Sequence, residues 1–182
     1  MTTTTQKELL ALFDHVHGRL NDRIKDMPDE EYLWEPVPGC WSVRPGTDGV
    51  LRAEKTSPPP EPAPFTTIAW RLWHISNDSL QWYSDLFFEG RERSDKHAWP
   101  GTVAGGVEQL NREWARFRDH VVATDDAALA LPLGPEGRQY THNYHALVLH
   151  ALDEVIHHSA EIGVLRDLYR HRAPDGGLPA PA

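Results

Sequence analysis

The stretch His142 to His171, HNYHALVLHALDEVIHHSAEIGVLRDLYRH, decides how the rest of the chain is read. At roughly 100° per residue, Tyr144, Leu147, Val148, Ala151, Val155, Ile162, Leu165 and Tyr169 fall into one stripe. That period predicts a long helix over residues 142–171 with one face buried. Glu154 lies on the flank of the stripe and His158 well inside it. They are four residues apart, so they are neighbours on the helix surface. His150 and His157 fall roughly 110° or more from the centre of the stripe.

A carboxylate turned toward a core is costly unless it is paired or bound to a metal. Two arrangements satisfy Glu154 and His158. In one they pair with each other or with an arginine, or sit at an exposed end of the fold. In the other they bind a metal ion, which requires a third ligand from another helix, because a catalytic zinc site takes three protein ligands and keeps one position open.

Outward from this helix, three more apolar stripes appear. Thr5 and Glu8 have the spacing of a capping box. Leu9, Phe13, Val16, Leu20 and Ile24 then recur at three- and four-residue steps, which predicts a helix over 5–27, ended by Pro28. Ile68, Leu72, Ile75, Ser79, Trp82 and Leu86 predict a second helix over 66–88. Trp70, Trp73, Leu80 and Phe87 fill its other sides, so it is largely buried, and Gly90 suits its end. Val107, Leu110, Trp114, Phe117 and Val121 predict a third helix over 103–123.

The connections read differently. Residues 28–64 hold Trp34, Trp41 and the run Pro58-Pro59-Pro60, and proline this dense cannot continue a helix. The two tryptophans predict that the first half folds back on the body. The Pro-rich half is expected to run over the surface in an extended form. Residues 125–140 read as a second loop. Four amphipathic helices without an alternating strand give an all-α fold, a four-helix bundle. It is expected to form one domain over 1–172, with a disordered tail over 173–182. The long first connection permits a crossover.

The totals narrow the function. With 182 residues, 40% hydrophobic and 25% charged, the chain has an ordinary globular composition and enough length for a core. No apolar run is long enough to cross a bilayer. Met1 to Lys7 is polar and lacks the apolar segment of a signal peptide, so a cytoplasmic protein is expected. Eighteen basic residues against 27 acidic ones, with no basic stripe, argue against nucleic acid as a partner. The single cysteine, Cys40, excludes an intrachain disulfide and a cysteine-cluster zinc site. It is read as structural or incidental, since no helix start or cationic cluster lies beside it to make a reactive thiol. Eleven histidines are the unusual total, and five of them, His142, His145, His150, His157 and His158, lie within residues 142–158.

His74, in Trp73-His74-Ile75, is the only histidine of the second helix and therefore the candidate third ligand. On the helical wheel it lies roughly 130° from the centre of that helix's stripe, beside Trp70, Asp78 and Gln81. A lone histidine in such a place is more often structural than a ligand.

Trp41-Ser42-Val43, Leu72-Trp73-His74-Ile75 and Glu154-Val155-Ile156-His157-His158-Ser159-Ala160-Glu161-Ile162, in this order and spacing, resemble the DinB-like family of bacterial four-helix-bundle proteins. The resemblance extends from about residue 6 to about 170. It implies a divalent metal, zinc or nickel, on His74, Glu154 and His158, second and third helices that run parallel, and a homodimer. Many members have histidine where Glu154 stands. The mycothiol-dependent maleylpyruvate isomerase branch is similar in having glutamate there. Many members also read His-His-Arg-Gly-Gln where this chain has His157-His158-Ser159-Ala160-Glu161.

The function expected from this resemblance is a metal-dependent enzyme that uses a low-molecular-weight thiol such as mycothiol or bacillithiol, as a thiol S-transferase or isomerase acting on a small-molecule substrate. Two alternatives stand beside it: a non-catalytic, stress-related binding protein with a structural metal, and a non-haem iron enzyme, whose ligand set is also two histidines and a carboxylate. Asp78 and Glu161 are expected to be exposed rather than to orient ligands.

Overall fold

The second long helix is where the structure departs most from its expected form. The computed structural model describes residues 4–92, 97–135 and 142–172. Helix α3 (Ile68–Trp73) is α-helical for only six residues and then continues as π-helix over His74–Gln81 and Ser84–Phe88. Its start is as expected: Thr67 is the N-cap, and its Oγ1 accepts from the Trp70 N–H. Gly90, with φ +64°, follows its end. The π register begins at His74 itself. Because a π turn takes more residues than an α turn, a wheel at 100° per residue misplaces the side chains beyond Trp73.

The other long helices follow their stripes. They are α1 (Thr4–Ile24), α4 (Val103–Ala123) and α6 (Tyr144–Arg170). Thr102 caps α4 and Asn143 caps α6, each side chain accepting a backbone N–H of the first turn. The capping box expected at Thr5 is not formed, since the chain is already helical at Thr4. The stripe residues Phe13, Leu20, Leu72, Ile75, Leu110, Phe117, Leu147, Val155 and Ile162 are all buried in one core.

Cross-helix contacts fix the directions. Asn77 meets Gln109, Asp85 meets Arg116 and Glu89 meets His120, so the second helix and α4 run parallel. Arg71 meets Glu161, His74 meets Glu154 and Tyr83 meets His150, so α6 is antiparallel to the second helix. Gln6 meets Val121 and His17 meets Asn111, so α1 is antiparallel to α4. The return along the bundle therefore falls in the second connection, residues 89–102, and not in the long first one. A 21-residue helix such as α4 is about 31 Å long, a distance that roughly a dozen extended residues can span.

The first connection carries more structure than its composition suggests. A short helix α2 (Asp29–Tyr32) and an antiparallel hairpin, β1 (Val43–Pro45) with β2 (Leu51–Ala53), lie within it. Tyr32 is fully buried, and Glu31 makes a buried ion pair with Arg166 of α6, Oε1 to Nε at 2.6 Å. Trp34 packs edge-on against Tyr169, and Trp70 Nε1 donates to the Glu54 carbonyl. The first half does fold back on the body, and Pro58, Pro59, Pro60 and Pro62 are exposed. A further short helix, α5 (Asp126–Leu129), interrupts the expected loop over 125–140. Residues 136–140 of that loop and the tail expected over 173–182 lie outside the described residues. Among the described residues no helix is long and apolar enough to cross a membrane.

Candidate metal centre

Antiparallel packing of the second helix against α6 brings three side chains to one point. His74 Nε2 donates to Glu154 Oε2 at 3.0 Å. His158 Nε2 lies 3.3 Å from the same oxygen. One ligand atom from each of His74, Glu154 and His158 can be chosen so that all three lie within 4.8 Å of one another. The two imidazole rings meet edge to face, with centroids 4.7 Å apart. The side chains of His74 and Glu154 are each 21% exposed and that of His158 is 12% exposed, so the centre lies just below the surface.

Each histidine is held from behind. His74 Nδ1 stands 3.2 Å from Asp78 Oδ2, and Asp78 in turn takes the Lys55 ammonium at 2.7 Å. Trp70 stacks on the His74 ring with an interplanar angle of 8°. His158 Nδ1 donates to Glu161 Oε2 at 2.5 Å, and Arg71 Nη1 bonds the same carboxylate. Asp78 and Glu161 are thus not solvent-facing spectators as expected. The signal was in the spacing: Asp78 is four residues from His74 and Glu161 three from His158, both distances that meet on a helix.

The charges respond to this packing. Glu154 is held well below the ordinary carboxylate range by the His158 and His74 contacts, which outweigh its burial. Burial raises Asp78, but His74 and Lys55 more than reverse this and bring it to about 2. Burial draws His74 down, and Asp78 and Glu154 more than offset it, so its net shift is upward. Burial likewise works against a charged Glu161, yet His158 and Arg71 carry it below its usual value.

The donor set fits a divalent ion. Two imidazole nitrogens and a carboxylate oxygen converge, and both histidines turn their other nitrogen toward a carboxylate, the arrangement that orients metal-bound imidazoles. Bonds of about 2.0–2.2 Å would set such ligand atoms some 3–4 Å apart, close to the separations found. His157, His158 and Glu161 form a second grouping, with His157 Nε2 3.3 Å from Glu161 Oε1. It is less suited to a cation, because the Arg71 guanidinium already occupies the Glu161 carboxylate. His157 points outward, with 58% of its side chain exposed. His150 is not part of either grouping, and its Nδ1 shares a 2.7 Å hydrogen bond with Tyr83 Oη. Cys40 is buried and donates to the Val37 carbonyl; burial pushes its thiol up, so it is not poised as a nucleophile.

Fold and site together define a four-helix-bundle protein with a His–Glu–His cluster between its second and last helices. The DinB superfamily matches this sequence over residues 12–162, and the chain belongs to that superfamily. Among solved structures it is similar to a conserved protein of Enterococcus faecalis, with a TM-score of 0.58 over 91% of this chain and 96% of that one. At 14% identity that likeness speaks for the fold alone. No curated protein matches the chain.

Proposed function

We propose that this protein is a divalent-metal-dependent enzyme, with the ion on His74, Glu154 and His158 and a low-molecular-weight thiol as cosubstrate, of the thiol S-transferase or isomerase type. Zinc or nickel would supply Lewis acidity, lowering the pKa of a bound water or thiol. The observation that carries the reading is the aim of both Nε2 atoms at one Glu154 oxygen in a centre that solvent can reach. Three protein donors leave room for an exogenous ligand, whereas a structural zinc site is closed by four.

Electrostatics favour an anion in that place. Lys55 and Arg71 stand against Asp78, Glu154 and Glu161, one positive charge too few. A divalent ion turns this deficit into a surplus of one, which a thiolate would neutralise. Such a thiol comes from outside the chain, since the single cysteine is buried and inert. The residues here have separable tasks: Glu154 and the two histidines hold the ion, Asp78 and Glu161 orient the rings, and Trp70 and Trp73 shield the His74 side from water.

The test is elemental analysis of protein purified without added metal, followed by thiol-transfer assays with a small electrophile. Stoichiometric zinc or nickel and thiol-dependent turnover are expected. A loaded centre that binds no exogenous thiol, seen as an unchanged cobalt spectrum on thiol addition, favours a structural metal instead.

A further inference from the structure

Behind each of the three clustered residues stands a pair of supporting side chains. Asp78 and Lys55 support His74, and Glu161 and Arg71 support His158. The third pair inverts the chemistry, placing an imidazole behind a carboxylate. His150 lies one turn before Glu154 on the same face of α6. Its Nε2 is 3.7 Å from Glu154 Oε1, the oxygen opposite the one that His74 and His158 approach. Its Nδ1 shares the 2.7 Å bond with Tyr83. Tyr83 is 2% exposed and held by ring contacts with Phe87 and Phe117, at the short α-helical junction between the two π segments.

We infer that Tyr83 and His150 form a positioning relay that fixes the Glu154 carboxylate and so sets the affinity of the centre for metal. This rests on the reading of His74, Glu154 and His158 as ligands. The tautomer explains the device. A phenol O–H donating to Nδ1 leaves the imidazole proton on Nε2. That proton is turned toward Glu154 Oε1 across 3.7 Å, an electrostatic contact longer than a hydrogen bond, which draws the outer oxygen to that side and leaves the inner one for the ion. The same proton occupies the lone pair through which His150 could otherwise ligate. Tyr83 thus keeps the His150 proton turned toward the carboxylate, so that His150 is not a fourth ligand and the coordination position stays open.

Cobalt(II) titrated into the full chain against a competing chelator reads the affinity, and its visible absorption reads the ligand set. Tyr83→Phe and His150→Ala are each expected to weaken cobalt binding by about 10–100-fold. The double variant should lose no more than His150→Ala alone, because the two act in series. His150→Gln, which restores an N–H donor, should recover part of the loss. The cobalt bands of His150→Ala should keep their positions, since no ligand is removed. Wild-type affinity in both single variants overturns the relay, as do additive losses, or a His150→Ala spectrum that matches that of Glu154→Ala. His158→Ala is the control for the underlying reading: if it binds cobalt as tightly as wild type, the centre is elsewhere and the relay falls with it. Should Tyr83→Phe fail to give a cooperative helical melt, the two His150 variants decide the matter alone.

Discussion

His157 and His158 differ by one position and by their entire surroundings. One residue turns an α-helix by roughly 100°, so His158 faces the second helix while His157 stands in solvent. His158→Ala is expected to abolish stoichiometric metal and His157→Ala to leave it intact, measured by elemental analysis of the purified variants. Retention of metal by His158→Ala would remove the case for this centre. The same cluster predicts a pH dependence. Asp78 sits at about 2, below its ordinary 3.8, so its contribution to the stability of metal-free protein is present above that ordinary value and is lost as pH falls toward 2. His74 is shifted upward from 6.5, so its contribution is complete below that value and is lost as pH rises through the folded-state pKa. Thermal melts of metal-free protein should therefore show this cluster stabilising most between those limits. Metal affinity should run the other way, rising with pH above neutrality, because a proton on His74 competes with the ion. A flat affinity from pH 6 to 8 would contradict this.

At the scale of elements, Arg166 joins α6 to two neighbours at once. Its guanidinium pairs with Glu31 of α2 and also donates to the Lys25 carbonyl just past the end of α1. The Arg166 and Glu31 side chains are each at least 96% buried. Removing one leaves a buried charge unmatched, so Glu31→Ala should cost about 3–5 kcal/mol in urea unfolding, whereas Asp48→Ala on the exposed hairpin turn should cost little. Equal effects would mean that α2 is not anchored in this way. The four long helices were legible because each repeats an apolar residue every three or four positions. Helix α2 was not, because four residues are too few to show a period and its stability comes from Tyr32 and Arg166, contacts remote in sequence. Glu154 and His158 were legible from their four-residue spacing on a stripe. The facing of His74 was not, because the π register starting there depends on packing against α4 and α6, and no propensity announces it. Lys55, Arg71 and His150 were missed as parts of the site for the same reason: their partners lie on other elements, or on a face that only the fold defines.

For the whole molecule, the seven tryptophans are accounted for within the chain and supply no partner surface. Trp99, Trp114 and Trp73 are buried within the chain, and Trp34, Trp41, Trp70 and Trp82 each pack against another of its rings. We propose that the homodimer implied by the resemblance forms through Leu12, Leu149, Ile156 and Val164, which are exposed on α1 and α6. A groove of about 470 Å³ runs between these helices, lined by apolar Leu20 and Ile156 and by charged Arg19, Asp22 and Arg23, with none of His74, Glu154 and His158 in its lining. Light scattering at micromolar concentration should give twice the chain mass, and Ile156→Glu should return it to a monomer. A monomer in the unmodified protein would refute the dimer.

His74 and Glu154 are 80 residues apart along the chain. An ion bound to both therefore ties together two distant parts of the chain, and because the unfolded chain does not hold these ligands at one point, the ion acts by binding the folded state alone. Denaturation must release the ion before the two halves of the chain can part. At a free metal concentration 100 times its dissociation constant, the folded form gains about 2.7 kcal/mol, or roughly 5–11 °C in melting temperature for a chain of this size. Chelation should lower the melting point by that amount without loss of helix at room temperature. In a cell, the lifetime of the protein would then follow the supply of its metal, and a shortage would be registered as turnover of the protein itself.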